Sequence, residues 1–276
     1  MPVVLYPPPR PQSVGEVLDA SFRIFRATLP RCVGFGVLAM VAAQLQSLYD
    51  IARHEPLHQF GGGDTVWWAL YALGALIGVA LINAILVRQV ALASGLPSPA
   101  GQALAEGLRQ TPGTVAIVVV MIVAVLICFV PLLVVPFSWL IVGVLLLSLP
   151  ASYVGIILSC AWPALIVGKM GVMASLRHSV QLTRPYWWRT SVIYSVGVAI
   201  VFVFVILAAL VAAVMAPFGG VDDIAAISAL SAVLAAVLAA LVLPFMAALA
   251  LAIYGELEVR TRIAKAEQGA TSAPAG

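Results

Sequence analysis

His54-Glu55-Pro56-Leu57-His58 matches HExxH letter for letter. That spacing lets a helix turn two histidines onto one face to hold zinc while the glutamate serves as general base. Pro56 stands inside the turn that must present those ligands, where it removes a backbone donor and crowds the preceding turn. The string lies in a polar loop ending in Gly61-Gly62-Gly63, and the remaining histidine, His178, falls on the other side of the membrane in the topology derived below. Asp64, Asp222 or Asp223 would have to complete a site. The residues His54, Glu55 and His58 are therefore read as an accidental match; no metal site, cofactor or catalytic group is expected.

The segment 169–189, KMGVMASLRHSVQLTRPYWWR, carries Lys169, Arg177, Arg184 and Arg189 with no acid, beside Trp187 and Trp188. Cations at an anionic lipid surface contribute about 1 kcal/mol each, so these six residues are candidates for binding acidic phospholipid head groups. The plainer reading is that the charges only set topology. A third set, Gln44, Gln46 and Asn83, supplies neutral polar groups within apolar runs. They suit either helix-to-helix hydrogen bonds or the lining of a path for a neutral or amphiphilic solute.

All three sets are positioned by elements that belong in a bilayer. The chain has 276 residues, 63% of them hydrophobic and 9% charged, with a mean hydropathy of +1.12. Soluble globular chains carry about 25% charged residues, so this composition points to a polytopic membrane protein. A net charge of +3 excludes the strongly basic surface of a nucleic-acid binder. Cys32, Cys128 and Cys160 lie in apolar runs without metal-ligand spacing and read as small core residues. The amino terminus, MPVVLYPPPRPQ, lacks the basic and apolar regions of a secretory signal.

Charge-free runs at 32–49, 66–87, 114–168, 190–215 and 224–255 predict the spans. The third is too long for one crossing of about 20 residues, and Pro131 and Pro136 mark a turn inside it, dividing it near 114–131 and 137–168. The fold class predicted is all-α, a bundle of six transmembrane helices with interfacial amphipathic helices. With both termini in the cytoplasm, every Lys and Arg except Arg53 is internal, as the positive-inside rule requires. Trp67, Trp68 and Tyr71 on one side and Tyr186, Trp187, Trp188 and Tyr254 on the other fall where aromatic anchors belong.

Residues 13–29 open with Ser13 and Glu16 in capping-box spacing and gather Glu16, Asp19, Arg23 and Arg26 on one face. Weaker amphipathic segments lie at 99–110 and 171–184. Each of the three is expected to end at a proline, Pro30, Pro112 or Pro185, and is followed by a pair of spans. The organisation predicted is a Pro-rich lead-in at 1–12, a membrane domain at 13–265 made of three units (13–97, 98–170 and 171–265), and a disordered tail at 266–276. Small residues at Gly74 and Gly78, and at Ser228, Ala232, Ala236 and Ala240, predict close helix packing.

RPQSVGEVLDASFRIFRATL, LSLPASYVGIILSCAWPALIV, GVMASLRHSVQLTRPYWWR and IYGELEVRTR together resemble the membrane domain that accompanies some bacterial glycerophosphoryl diester phosphodiesterases. The resemblance implies a multi-helix inner-membrane domain whose own activity is not defined. After Trp162-Pro163-Ala164 the sequence departs from the family pattern, with Gly168-Lys169 in place of an acidic residue. Six spans and short loops leave no room for a catalytic barrel of about 250 residues, so phosphodiesterase activity is not expected. The residues favour a non-enzymatic inner-membrane protein that organises or binds lipid, anionic phospholipid at the cytoplasmic leaflet above all, or supports a protein partner or a second copy. A transporter for a small or amphiphilic solute is the alternative, and an HExxH metalloenzyme comes third.

Overall fold

The computed structural model describes residues 5–53, 64–136, 139–215 and 224–271. Its helices are α1 (Val14–Ala43), α2 (Leu45–Ala52), α3 (Thr65–Ala93), α4 (Ala100–Phe129), α5 (Leu140–Leu158), α6 (Ala161–Val167), α7 (Val172–Thr183), α8 (Trp187–Met215) and α9 (Ile224–Thr271). The described residues contain no strand. Six stretches are long and apolar enough to cross a membrane: Val14–Ala43, Thr65–Ala93, Ala100–Val134, Leu140–Val167, Val172–Val211 and Ala240–Gln268. The protein is a multi-pass helical membrane bundle.

The capping box forms as expected. Ser13 accepts the Glu16 N–H at 3.3 Å, and Glu16 accepts the Ser13 N–H at 2.6 Å. Two expected breaks do not occur, because α1 runs through Pro30 and α4 through Pro112. The amphipathic segments at 13–29 and 99–110 are thus the first halves of long helices rather than separate elements. In α1 the reason is visible in the packing. Buried Val17, Ile24, Thr28, Cys32, Phe35 and Ala39 keep one stripe on both sides of the proline, so tertiary contact outweighs the roughly 3 kcal/mol that a mid-helix proline costs. Pro185 does interrupt the chain: residues 184–186 form a 3-10 turn between α7 and α8. In the fourth span, α5 continues through Pro150, and the break comes at Ser159-Cys160. Pro163 then sits in the first turn of α6, where a missing N–H costs little.

α1 packs antiparallel to α3, α4 to α5 and α8 to α9; α3 also packs along α4, and α1 lies along α9 to close first element on last. The packing is uneven. The most apolar 18-residue window of Ala240–Gln268 is 78% buried, whereas that of Ala100–Val134 is 6% buried. The core therefore gathers around the second half of α9 at the end of the bundle that carries most of the basic residues, called the basic end below. There Ile24, Leu86, Ala247, Ala248 and Leu251 form one cluster, and Val17, Leu182, Ile193, Leu249 and Ile253 another. Cys32 and Cys160 belong to these cores, as their sequence setting predicted.

Close approach rests on fewer glycines than the pattern suggested. A methyl on Gly74 would collide with the Ala42 carbonyl, while Gly78 has nothing within 4 Å. A second close crossing is one the pattern did not flag: a Cβ on Gly107 of α4 would lie 2.6 Å from the Ala80 carbonyl oxygen and 2.7 Å from the Ala84 nitrogen of α3. Ala240 is buried; the side chains of Ser228, Ala232 and Ala236 lie outside the description.

The Pro-rich lead-in is docked. Leu5 and Tyr6 both donate their N–H to the Ala93 carbonyl, at 2.7 and 3.1 Å, and the Tyr6 ring packs so closely on Gly255 that a Cβ there would fall 2.6 Å from its Cε2. Burial pushes the Tyr6 phenol up to about 12. At the other terminus α9 continues to Thr271, so the first residues of the expected tail are helical.

Candidate functional site at the basic end

α7 and the start of α8 carry most of the predicted head-group residues. Arg177 on α7, Arg184 in the 3-10 turn and Lys169 in the link between α6 and α7 are exposed. Lys169 adopts a left-handed φ of 49°, which turns the chain sharply before α7. Trp188 is 69% exposed. Trp187 packs edge-on against it, with ring centroids 5.5 Å apart, and against Tyr153 of α5 at 5.4 Å. An indole of this kind, anchored on one side and open on the other, suits a membrane interface.

Arg189 does not join them. Its side chain is 23% exposed and pairs at 3.3 Å with Glu256 of α9, and it donates to the Gln12 carbonyl. Glu256, 1% exposed, also pairs with Arg260 one turn along α9, and Arg260 donates to the same Gln12 carbonyl at 2.9 Å. One buried carboxylate and one backbone oxygen thus hold two guanidinium groups, tying α8, α9 and the lead-in together. Arg189 is spent inside the protein.

A second cluster lies beside it. Glu258 accepts from His178 Nε2 at 2.6 Å and from the Tyr254 hydroxyl at 3.2 Å, and pairs with Arg262 at 3.3 Å. With Tyr6 and Met170 these residues line a cavity of about 380 Å³. Glu256 and Glu258 are not among the candidate residues named from the sequence. Their signal was present, since Glu256 to Arg260 and Glu258 to Arg262 are both i,i+4 pairs with the acid first, the favoured order on a helix.

The neutral polar residues are not brought together. Gln44 ends α1, its N–H bonded to the Val41 carbonyl, and Gln46 lies on α2 with its buried Oε1 unpartnered. Asn83 sits nine residues along α3 from Gly74, the point that meets the end of α1, or about 14 Å at 1.5 Å per residue. Asn83 is fully engaged: Oδ1 accepts from Thr114 at 3.1 Å and from the Trp162 indole at 2.9 Å, and Nδ2 donates to the Gly107 carbonyl at 3.3 Å. It is a knot joining α3, α4 and α6.

His54, Glu55 and His58 lie outside the described residues, as do Asp222 and Asp223. Among the described residues no group of three His, Cys, Asp or Glu could hold a metal ion. Asp64, one residue considered for completing such a site, caps α3. Its carboxylate accepts from the Trp67 N–H at 2.9 Å and from the Tyr49 hydroxyl and Arg53, both at 2.8 Å. These bonds, the backbone one foremost, hold its acidity below the usual carboxylate value. A lowered folded-state pKa contributes stability that is present above the unfolded value of about 4 and is lost as pH falls through the folded value. The melting temperature of the wild-type protein should therefore fall on acidification below about pH 4, and Asp64→Asn should flatten that limb; identical limbs would show that this cap is uncoupled from folding.

No protein-family model, curated protein or solved structure matches the chain.

Proposed function

We propose that the protein is a non-enzymatic component of the bacterial inner membrane that binds anionic phospholipid, with its basic end in the cytoplasmic leaflet. One observation carries this reading. Lys169, Arg177 and Arg184 are exposed, and none of them pairs with a carboxylate among the described residues, although Arg189 beside them does. Exposed cations next to Trp187 and Trp188, at the root of the span that follows, have the chemistry of a lipid-facing surface. The charge asymmetry between the two sides supports the orientation. The resemblance to phosphodiesterase-associated membrane domains fits the same compartment.

Lipid association measured with spin-labelled phosphatidylglycerol and phosphatidylcholine around the reconstituted protein tests the proposal. The wild type should prefer phosphatidylglycerol. Arg177→Gln combined with Arg184→Gln should lower that preference about fivefold for each cation removed, the equivalent of about 1 kcal/mol per cation, and raised salt should mimic the substitution. An unchanged preference in the double variant would reject this surface.

A further inference from the structure

An apolar groove of about 730 Å³ runs between α1, the start of α2, α3 and α4, with Leu38, Leu45, Leu73, Ile77, Leu81 and Leu108 among its walls. We propose that it holds one acyl chain of an anionic phospholipid whose phosphate is bound by Arg31 and Arg88. The inference rests on the lipid-binding reading above and deepens it from a surface preference to a defined site.

Helix geometry puts the two arginines at one end of the groove. Arg31 and Leu38 are spaced by seven residues, which brings both to nearly the same face of α1, and the step from Leu38 to Arg31 is about 10 Å toward the basic end. On α3, Arg88 stands seven residues from Leu81 in the same sense. Phe35 of α1 links them: it lies one turn from Arg31, and the Arg88 guanidinium stands over its ring at 5.6 Å. The depth is also right. Trp67 and Trp68 begin α3 at the opposite interface, and Arg88 lies about 31 Å along the helix from Trp67, the thickness of a hydrocarbon core of about 30 Å.

The arginines lack acceptors. Arg31 is exposed and Arg88 half-buried, neither pairs with a carboxylate among the described residues, and the buried Arg88 Nε has no hydrogen-bond partner. Of the other arginines at this end, Arg10, Arg23 and Arg109 pair with Glu16, Asp19 and Glu106, whereas Arg26, Arg177 and Arg184 are exposed without a carboxylate among the described residues; Arg88 differs from these three in being half-buried. A guanidinium left without an acceptor beside lipid is costly, and phosphate oxygens match its donor fork. Two cations favour a head group of net negative charge over a zwitterionic one, whose own ammonium would be repelled. The groove opens among exposed apolar side chains of spanning helices, so the occupant enters from the bilayer. Its volume lies in the range of small-molecule sites.

Native mass spectrometry of the full chain, released from bilayers of mixed phosphatidylglycerol and phosphatidylethanolamine, tests the site. The wild type should retain one phosphatidylglycerol. Arg88→Gln, and Arg31→Gln with Arg88→Gln, should reduce its occupancy at least about tenfold, the effect of losing one charge-assisted hydrogen bond. Leu38→Trp, on a lipid-exposed position, should displace the chain while leaving both arginines in place. The Arg177→Gln and Arg184→Gln double variant should keep the retained lipid while losing the surface preference. Wild-type occupancy in the Arg31 and Arg88 variants, or equal retention of phosphatidylethanolamine, would overturn the site. Absence of retained lipid together with an intact spin-label preference would overturn this site alone; loss of both signals would overturn the lipid-binding reading as well.

Discussion

Glu256→Ala is expected to destabilise the protein by about 3 kcal/mol, the lower end of what removing one partner of a buried ion pair costs. The carboxylate is 1% exposed and is the sole acid paired with both Arg189 and Arg260 among the described residues. Those arginines are 23% and 27% exposed, so water recovers part of their solvation, which sets the estimate at the lower end. Without Glu256 two cations share only the Gln12 carbonyl and repel one another. The effect should extend beyond α9, because the same knot fixes the lead-in whose Tyr6 packs against Gly255. Unfolding in mixed micelles should show a shifted midpoint, and protease should reach the lead-in at lower denaturant. Replacing all three charges by apolar residues should recover much of the loss, since the penalty comes from unpaired charge. A wild-type midpoint for Glu256→Ala would show that the bundle does not depend on this knot.

Asn83→Leu should cost about 1–3 kcal/mol, and its consequence for function separates a structural residue from a solute-lining one. The Trp162 indole N–H loses its acceptor. The two other partners keep alternatives, because Thr114 also donates to the Gln110 carbonyl and the Gly107 carbonyl also accepts from Thr111. A single orphaned donor sets the magnitude, and interhelical hydrogen bonds in membranes are often worth less than in water, about 0.6 kcal/mol on average. The expected phenotype is a lower unfolding midpoint with lipid preference unchanged. Solute flux through reconstituted wild-type protein that disappears in a stably folded Asn83→Leu variant would favour the transporter reading instead.

The spans were legible because a charge-free run of apolar residues has few other uses, and the turn in the long third run was legible from Pro131 and Pro136. The continuity of α1 and α4 was not. Pro30 and Pro112 are strong local signals, and tertiary packing overrides them: α1 is held along α3 and along α9, the latter far away in sequence, and α4 buries a stripe against α3. The same limit hid the role of Asn83: its polarity within a span was plain, but Trp162 stands 79 residues away. Arg189 reads like its neighbours Arg177 and Arg184, and only the arrival of α9 separates a paired cation from free ones. Glu256 and Glu258 carried a helical pairing pattern that could have been read. Arg31 and Arg88 were legible as interface cations, whereas the groove that ends at them needs the geometry of the helices that wall it.

The most direct test of the lipid-binding account is the composition of lipid extracted with the protein when polymer discs are cut straight from its native membrane. Anionic phospholipid should be enriched about fivefold over the surrounding bilayer, the ratio that roughly 1 kcal/mol of preference gives. Discs whose lipid matches the bulk membrane would contradict it.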